Sequence, residues 1–346
     1  MTPLRAWNRF WFGPISARPL GAFRILFGLI VLAHLALLWP ESDLWLSDAG
    51  YLQGSEAREL AGPLRPSPLQ WVQDPVSVRA FLAATAVVAI LFTLGWHTRP
   101  MAILLYLMLL SIHHRLLLTT SGADCMLVIA SFSMMLSPCG AAYSLDARRA
   151  ARRRGTMAEP LIVPWAVRLL QIQVCILYFM SAFLKSNGTT WPDGTAVHWI
   201  LNNGEVRRFT FGLEQCPLLT NAMTHAALLV EFALPFLLWF RETRPWIALL
   251  GVGLHFGILL TVNIPIFGEL MTSCYLLFLT PDEFDTLLHR VNPRRWFRRP
   301  PSRAKADTKG ASILRGPHRP VMIRARSGQS IAEANEEEQE YISPRI

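Results

Sequence analysis

Val163-Pro-Trp-Ala-Val-Arg-Leu-Leu-Gln-Ile-Gln-Val-Cys-Ile-Leu-Tyr-Phe-Met-Ser-Ala-Phe-Leu184 is an apolar stretch that ends directly before a lysine, Lys185. A helix needs about 20 mostly apolar residues to cross the hydrocarbon core of a bilayer, and this stretch is long enough. Similar stretches recur along the chain, which is 52% hydrophobic and only 16% charged. Soluble domains carry more charge than this. We therefore predict an all-α membrane protein, built as a polytopic bundle of helices.

The apolar stretches predict about eight transmembrane helices, with both termini in the cytoplasm. The expected spans are 20–39, 77–96, 100–118, 123–138, 163–184, 219–240, 246–264 and 266–280. Arginines concentrate in every second connecting segment, for example in 148–154 and 290–305. Because cytoplasmic loops are enriched in Lys and Arg, this bias predicts the N-in, C-in orientation in a cell (inner) membrane. Arg24 and Arg168 lie near inner ends of spans, where snorkelling explains them.

Three segments are expected along the chain. Residues 1–19 form a cytoplasmic N-terminal segment and 20–282 the transmembrane domain. Residues 283–346 are polar, first basic and then acidic, and we expect a disordered cytoplasmic tail whose basic part lies against anionic lipid. No nucleic-acid partner is expected, because no binding module accompanies the positive charge. The arginine- and alanine-rich composition is typical of a GC-rich bacterium.

Several classes of site lack support in the sequence. The five cysteines lie far apart and form no C-x-x-C pair, so neither a metal site nor a disulfide framework is predicted. There is no P-loop, dinucleotide glycine fingerprint, G-x-S-x-G or H-E-x-x-H motif. Nucleotide-driven transport and serine or zinc hydrolysis are therefore not expected.

Ionisable side chains within apolar spans are costly to insert and mark candidate functional positions. The candidate site residues are Lys185, Glu231, His255, Asp124 and His114. Most of them fall in the predicted outer half of the bundle, which suggests a pocket open to that side. Structural alternatives remain, because Lys185 can snorkel, Asp124 can cap a helix, His114 can end one and His255 can be a bonded core residue. A mid-span carboxylate such as Glu231 must be paired or protonated, with Lys185 or His255 as the candidate partner.

An ordered set of short motifs carries a family resemblance. These motifs are Pro19–Gly28, Leu44–Gly50, Leu94–Arg99, His113–Arg115, Ser121–Asp124, Tyr143–Asp146, Lys185 with Trp191–Gly194, Glu231–Pro235, and His255 with Phe267. Together they resemble the horizontally transferred transmembrane (HTTM) domain, which is related to the membrane part of vitamin K-dependent gamma-carboxylase. The resemblance covers about residues 17–280.

The resemblance implies a function for Lys185. In the gamma-carboxylases a lysine in the matching stretch is held to deprotonate reduced vitamin K, so Lys185 is the implied base and reduced vitamin K or another quinone the implied cofactor. The carboxylases have two adjacent lysines where this chain has Leu184-Lys185, and a functional histidine where it has Ser121–Asp124. They also carry a large non-membrane domain where this chain has a polar tail. Full glutamate carboxylation is therefore not expected.

Two functional hypotheses follow. The first is a multi-pass membrane protein in which a lipid quinone binds and Lys185 abstracts a proton, with maturation of a secreted peptide as a variant. The second is a non-catalytic transport or partner-binding module, in which the same charges form a solute path or a partner site. Inverted repeats would favour a transporter, and the hydropathy pattern contains none.

Overall fold

The computed structural model describes residues 2–72, 74–155 and 159–291, and almost all of its regular structure is helical. The α-helices are α1 Pro3–Phe12, α2 Arg18–Leu38, α3 Ser42–Leu46, α4 Gly54–Ala61, α5 Pro75–Leu94, α6 Thr98–Arg115, α7 Gly122–Leu136, α8 Leu145–Arg154, α9 Trp165–Ser186, α10 Ala196–Asn202, α11 Pro217–Leu237, α12 Arg244–Thr261, α13 Phe267–Cys274 and α14 Pro281–Val291. A 3₁₀ turn, Tyr275–Phe278, extends α13. Two short strands, β1 Ile15–Ser16 and β2 Leu161–Ile162, pair antiparallel.

A helix lies at each of the eight positions where a span was expected. Among the described residues, five helical segments are long and apolar enough to cross a membrane, namely Arg18–Leu46, α5, α9, α11 and α12. Helix α7 and the stretch Phe267–Phe278 are apolar but shorter. The chain is thus an all-α, membrane-embedded protein with several crossings, while the number eight and the orientation of both termini stay predictions.

Local sequence signals explain where the helices begin and end. Helix α5 starts because the Asp74 carboxylate accepts a hydrogen bond from the Ser77 backbone N–H at 2.8 Å. It ends at Gly95, which has a φ of 70° and sits against Ser144, so that a side chain there would be strained and would clash. Helix α7 begins with a reciprocal capping box between Ser121 and Asp124.

Helix α2 lies at the centre of the core. Its side chains Phe23, Phe27 and Val31 are fully buried, and it packs on α5 and on the α13 segment. On the other side of the bundle α9 packs along α11, which in turn packs on α12. The contacts of α2 with the α13 segment and of α9 with α11 join helices that are not consecutive in sequence, and they position the polar side chains described below.

Arg24 corrects one expectation from the sequence. Its side chain projects from α2, is fully buried, and therefore does not snorkel to the membrane surface. Its guanidinium donates hydrogen bonds to the carbonyl oxygens of Cys139 at 2.9 Å, Ala142 at 3.2 Å and Tyr143 at 2.7 Å. The segment after α7 leaves these carbonyls without helical partners, and an arginine fork can satisfy several at once.

The prediction that a disordered tail begins at residue 283 is also wrong. Residues 283–291 belong to helix α14, whose Phe284 is buried. Two ion pairs link this helix to the helical bundle, Arg18 with Asp285 and Arg244 with Glu283. The remainder of the predicted tail, from residue 292, lies outside the described residues.

Candidate functional site

The central feature of the candidate site is an ion pair between helices α9 and α11. Lys185 Nζ lies 2.5 Å from Glu231 Oε1 and 2.7 Å from Oε2, so the ammonium contacts both carboxylate oxygens. The Ser181 hydroxyl donates a third hydrogen bond to Glu231 Oε2 at 3.2 Å. The Glu231 side chain is only 8% exposed, whereas that of Lys185 is 26% exposed. The carboxylate is therefore the buried partner and the lysine is the one that a ligand can reach.

An aromatic ring covers the lysine from the loop that follows α9. Lys185 Nζ lies 4.6 Å from the centroid of the Trp191 ring, within cation–π range. The loop closes at Gly194, where φ is 73° and where a β-carbon would lie 1.9 Å from the side chain of Asn221 on α11. Glycine is thus required for the loop to approach α11 and to hold Trp191 over the ammonium.

A separate row of hydrogen-bonded side chains begins at Tyr178, about one helical turn before Ser181 on α9. The Tyr178 hydroxyl lies 2.6 Å from His255 Nε2 on α12 and 2.7 Å from the Tyr275 hydroxyl after α13. All three side chains are buried. His255 thus bonds Tyr178 rather than Glu231, and its buried Nδ1 has no hydrogen-bond partner among the residues that the structure describes.

Sequence reasoning missed Tyr178 and Ser181, although their spacing contains a signal. Residues 178, 181 and 185 follow the i, i+3, i+7 pattern, which places them on one face of α9. A polar face within an apolar span usually looks into the bundle. The pattern could therefore have predicted a polar stripe that leads to Lys185.

The other two candidate residues lie elsewhere and do not join this pair. His114, at the end of α6, has Nδ1 2.9 Å from the carbonyl oxygen of Pro66. Asp124 caps α7 and approaches His113, with Nδ1 and Oδ1 3.7 Å apart. His34 of α2 completes this second cluster, in which one ligand atom of each side chain lies within 4.8 Å of the others.

Chemically, the Lys185–Glu231 pair can hold, exchange and deliver a proton. The ammonium is a proton donor and the carboxylate a proton acceptor, and the short hydrogen bonds between them give a proton a path from one to the other. Partial burial strengthens this coupling, because water does not screen the two charges fully. The pair can also take up one proton from outside and then present a free ammonium to an anion.

The comparisons with known proteins agree with this architecture. The family model of the HTTM domain matches residues 12–282, which include all the helices that carry the candidate residues. The comparisons with curated proteins and with solved structures gave no match. The matched segment spans the apolar helices described above and fits a multi-pass membrane protein. The chain therefore belongs to the HTTM domain family.

Proposed function

We propose that the protein is a membrane-embedded enzyme that removes a proton from a hydrophobic substrate at the Lys185–Glu231 pair. The observation that carries this proposal is the double contact of a partly exposed ammonium with a buried carboxylate, at 2.5 and 2.7 Å. A lysine that merely snorkels would extend toward lipid headgroups and water. Lys185 is instead held over a carboxylate, beneath the Trp191 ring.

The proposed step conserves charge within the site. When the O–H or acidic C–H bond of the substrate breaks, the pair takes up the proton and the bonding electrons stay on the substrate. With the proton on Glu231, the Lys185 ammonium is released from its partner and stabilises the new anion. Either residue can be written as the base, because the two descriptions differ only by a proton shift within the pair.

A reduced lipid quinone is the substrate class that the family resemblance implies, and the residues around Lys185 suit one. Phe183 and Leu184 next to the lysine are 46% and 65% exposed, and the rings of Phe179 and Phe183 stack with centroids 6.4 Å apart. These side chains offer an apolar surface for an isoprenoid chain, and Trp191 offers a face for a planar ring. A secreted peptide with an acidic side chain is the alternative substrate class.

The test combines identification of bound lipid with a turnover assay. The protein is purified in mild detergent, and its lipids are extracted and analysed by mass spectrometry. The purified protein is then incubated with a reduced naphthoquinone and oxygen. The consumption of the reduced naphthoquinone and the formation of its epoxide are followed. We expect substrate-dependent turnover that is lost in Lys185→Met and reduced in Glu231→Gln.

Two control variants separate the pair from general damage. Ser186→Ala changes a half-buried side chain next to the lysine, and Glu269→Gln neutralises an exposed carboxylate in another apolar helix. Both should retain wild-type turnover. Wild-type protein that is folded and neither binds nor turns over a quinone would overturn the quinone assignment. If the charge variants then altered solute uptake or partner capture, the non-catalytic transport or partner-binding function would replace the enzymatic one.

A further inference from the structure

The cluster of two histidines and one aspartate on α2, α6 and α7, which lies on helices other than those of the Lys185–Glu231 pair, has the composition of a metal site. We propose that His34, His113 and Asp124 bind one divalent transition-metal ion of the zinc or iron(II) type. One ligand atom from each residue lies within 4.8 Å of the others. Two imidazoles and one carboxylate are a common ligand set for such ions and leave coordination positions open.

Within residues 2–72, 74–155 and 159–291, three buried ring nitrogens of the cluster form no hydrogen bond. His113 is 6% exposed, and among the described residues neither of its ring nitrogens has a hydrogen-bond partner. His34 Nε2 is likewise buried, and no hydrogen bond joins it to the part of the chain that the structure describes. Leaving such groups unsatisfied is unfavourable, and most buried polar atoms in native proteins are paired. A bound cation would satisfy a nitrogen of each ring together with the carboxylate.

The carboxylate is oriented for this role. Asp124 Oδ2 accepts hydrogen bonds from the Ser121 backbone N–H at 2.7 Å and the Ser121 hydroxyl at 2.8 Å. Its other oxygen, Oδ1, lies 3.7 Å from His113 Nδ1. Outer partners that fix a ligand in this way are usual around metal ions. The capping box of α7 therefore both starts the helix and aims one oxygen at the histidines.

A simple histidine–aspartate pair explains the geometry less well. The distance of 3.7 Å between Nδ1 and Oδ1 exceeds that of an ordinary hydrogen bond, which is about 2.7–3.2 Å. Two ligands of a tetrahedral zinc ion are separated by about 3.3 Å, given metal–ligand bonds of about 2.0–2.2 Å. The observed spacings are somewhat larger, so modest side-chain rotations would close the site around an ion.

The experiment is a metal titration of the full chain in detergent, carrying an affinity tag without histidine. After treatment with a chelator and its removal, Co²⁺ is added and the visible absorption of the protein is recorded. Zn²⁺ is then added as a competitor, and bound metal is counted by elemental analysis. We expect one saturable Co²⁺ site per chain, with the intense absorption of low-coordinate cobalt, displaced by Zn²⁺.

Variants assign the site. Asp124→Asn keeps an oxygen for the helix cap. Asp124→Asn and His113→Gln, each as a single change, should weaken Co²⁺ binding at least about tenfold. His289→Gln, at an exposed histidine on α14, should bind as the wild type does. Wild-type protein without saturable Co²⁺ or Zn²⁺ binding would overturn the proposal even if the variants failed to fold. Equal binding by folded His113→Gln would overturn it too, because the ion would then sit elsewhere.

Discussion

Replacing Lys185 by methionine should destabilise the protein more than replacing its partner Glu231 by glutamine. Lys185→Met leaves a carboxylate that is 8% exposed without a cation, whereas Glu231→Gln leaves an ammonium that is 26% exposed and can reach water. An unsatisfied buried group costs about 1–3 kcal/mol. We therefore expect a loss of about 1–3 kcal/mol for Lys185→Met. For Glu231→Gln we expect a loss of less than about 1 kcal/mol, because water can hydrate the ammonium that this change leaves unpaired.

The double variant measures the interaction itself. At an effective dielectric constant of 20, two unit charges about 3 Å apart attract by about 5–6 kcal/mol, but desolvation and the exposure of Lys185 remove most of this. The coupling free energy from the four-variant cycle should be about 1–2 kcal/mol. Lys185→Met/Glu231→Gln should then be more stable than Lys185→Met alone, because the buried charge is gone.

The assay is reversible unfolding in mixed micelles, in which the fraction of SDS is raised and helicity is followed by circular dichroism. Ser186→Ala serves as the control for a change at the end of α9. Additive effects of the two single changes would refute the reasoning, because they would mean that the pair contributes nothing beyond its separate side chains. Equal losses of unfolding free energy in Lys185→Met and Glu231→Gln would refute the assignment of Glu231 as the buried partner.

Two further predictions concern groups that hold the bundle together. Arg24→Lys should lower the free energy of unfolding by about 1.5–3 kcal/mol in the same assay, because one ammonium cannot replace the guanidinium fork, while exposed Arg148→Lys should change little. Burial alone would raise the pKa of Glu283, but hydrogen bonds from Thr280 and the charge of Arg244 hold that pKa below its usual 4.5. This carboxylate therefore stabilises the folded state above pH 4.5. The stabilisation is lost as the pH falls through the lower pKa that Glu283 has in the folded state. Glu283→Gln should make the melting temperature less sensitive to acid between pH 5 and pH 3, and an unchanged acid dependence would contradict the assignment.

The predictable part of the fold follows from one-dimensional signals. Apolar stretches of spanning length indicated where helices would lie, and charged residues inside them, such as Lys185 and Glu231, stood out because their insertion is costly. Arg24 was misjudged for a related reason. Position along a span indicates depth in the membrane, but not whether the side chain turns toward lipid or toward unsatisfied carbonyls in the core.

The amino-acid sequence by itself determined the class of protein, because a helix in lipid must satisfy its own backbone hydrogen bonds and must be apolar along its length. It did not determine which polar side chains meet. Glu231 had two candidate partners, and only the packing of α9 along α11 brings Lys185 to it, while α12 presents His255 to Tyr178 instead. The cluster of His34, His113 and Asp124 joins three helices in the same way. Such contacts depend on the rotation and offset of packed helices, which are set by side-chain packing across the whole bundle rather than by any local stretch.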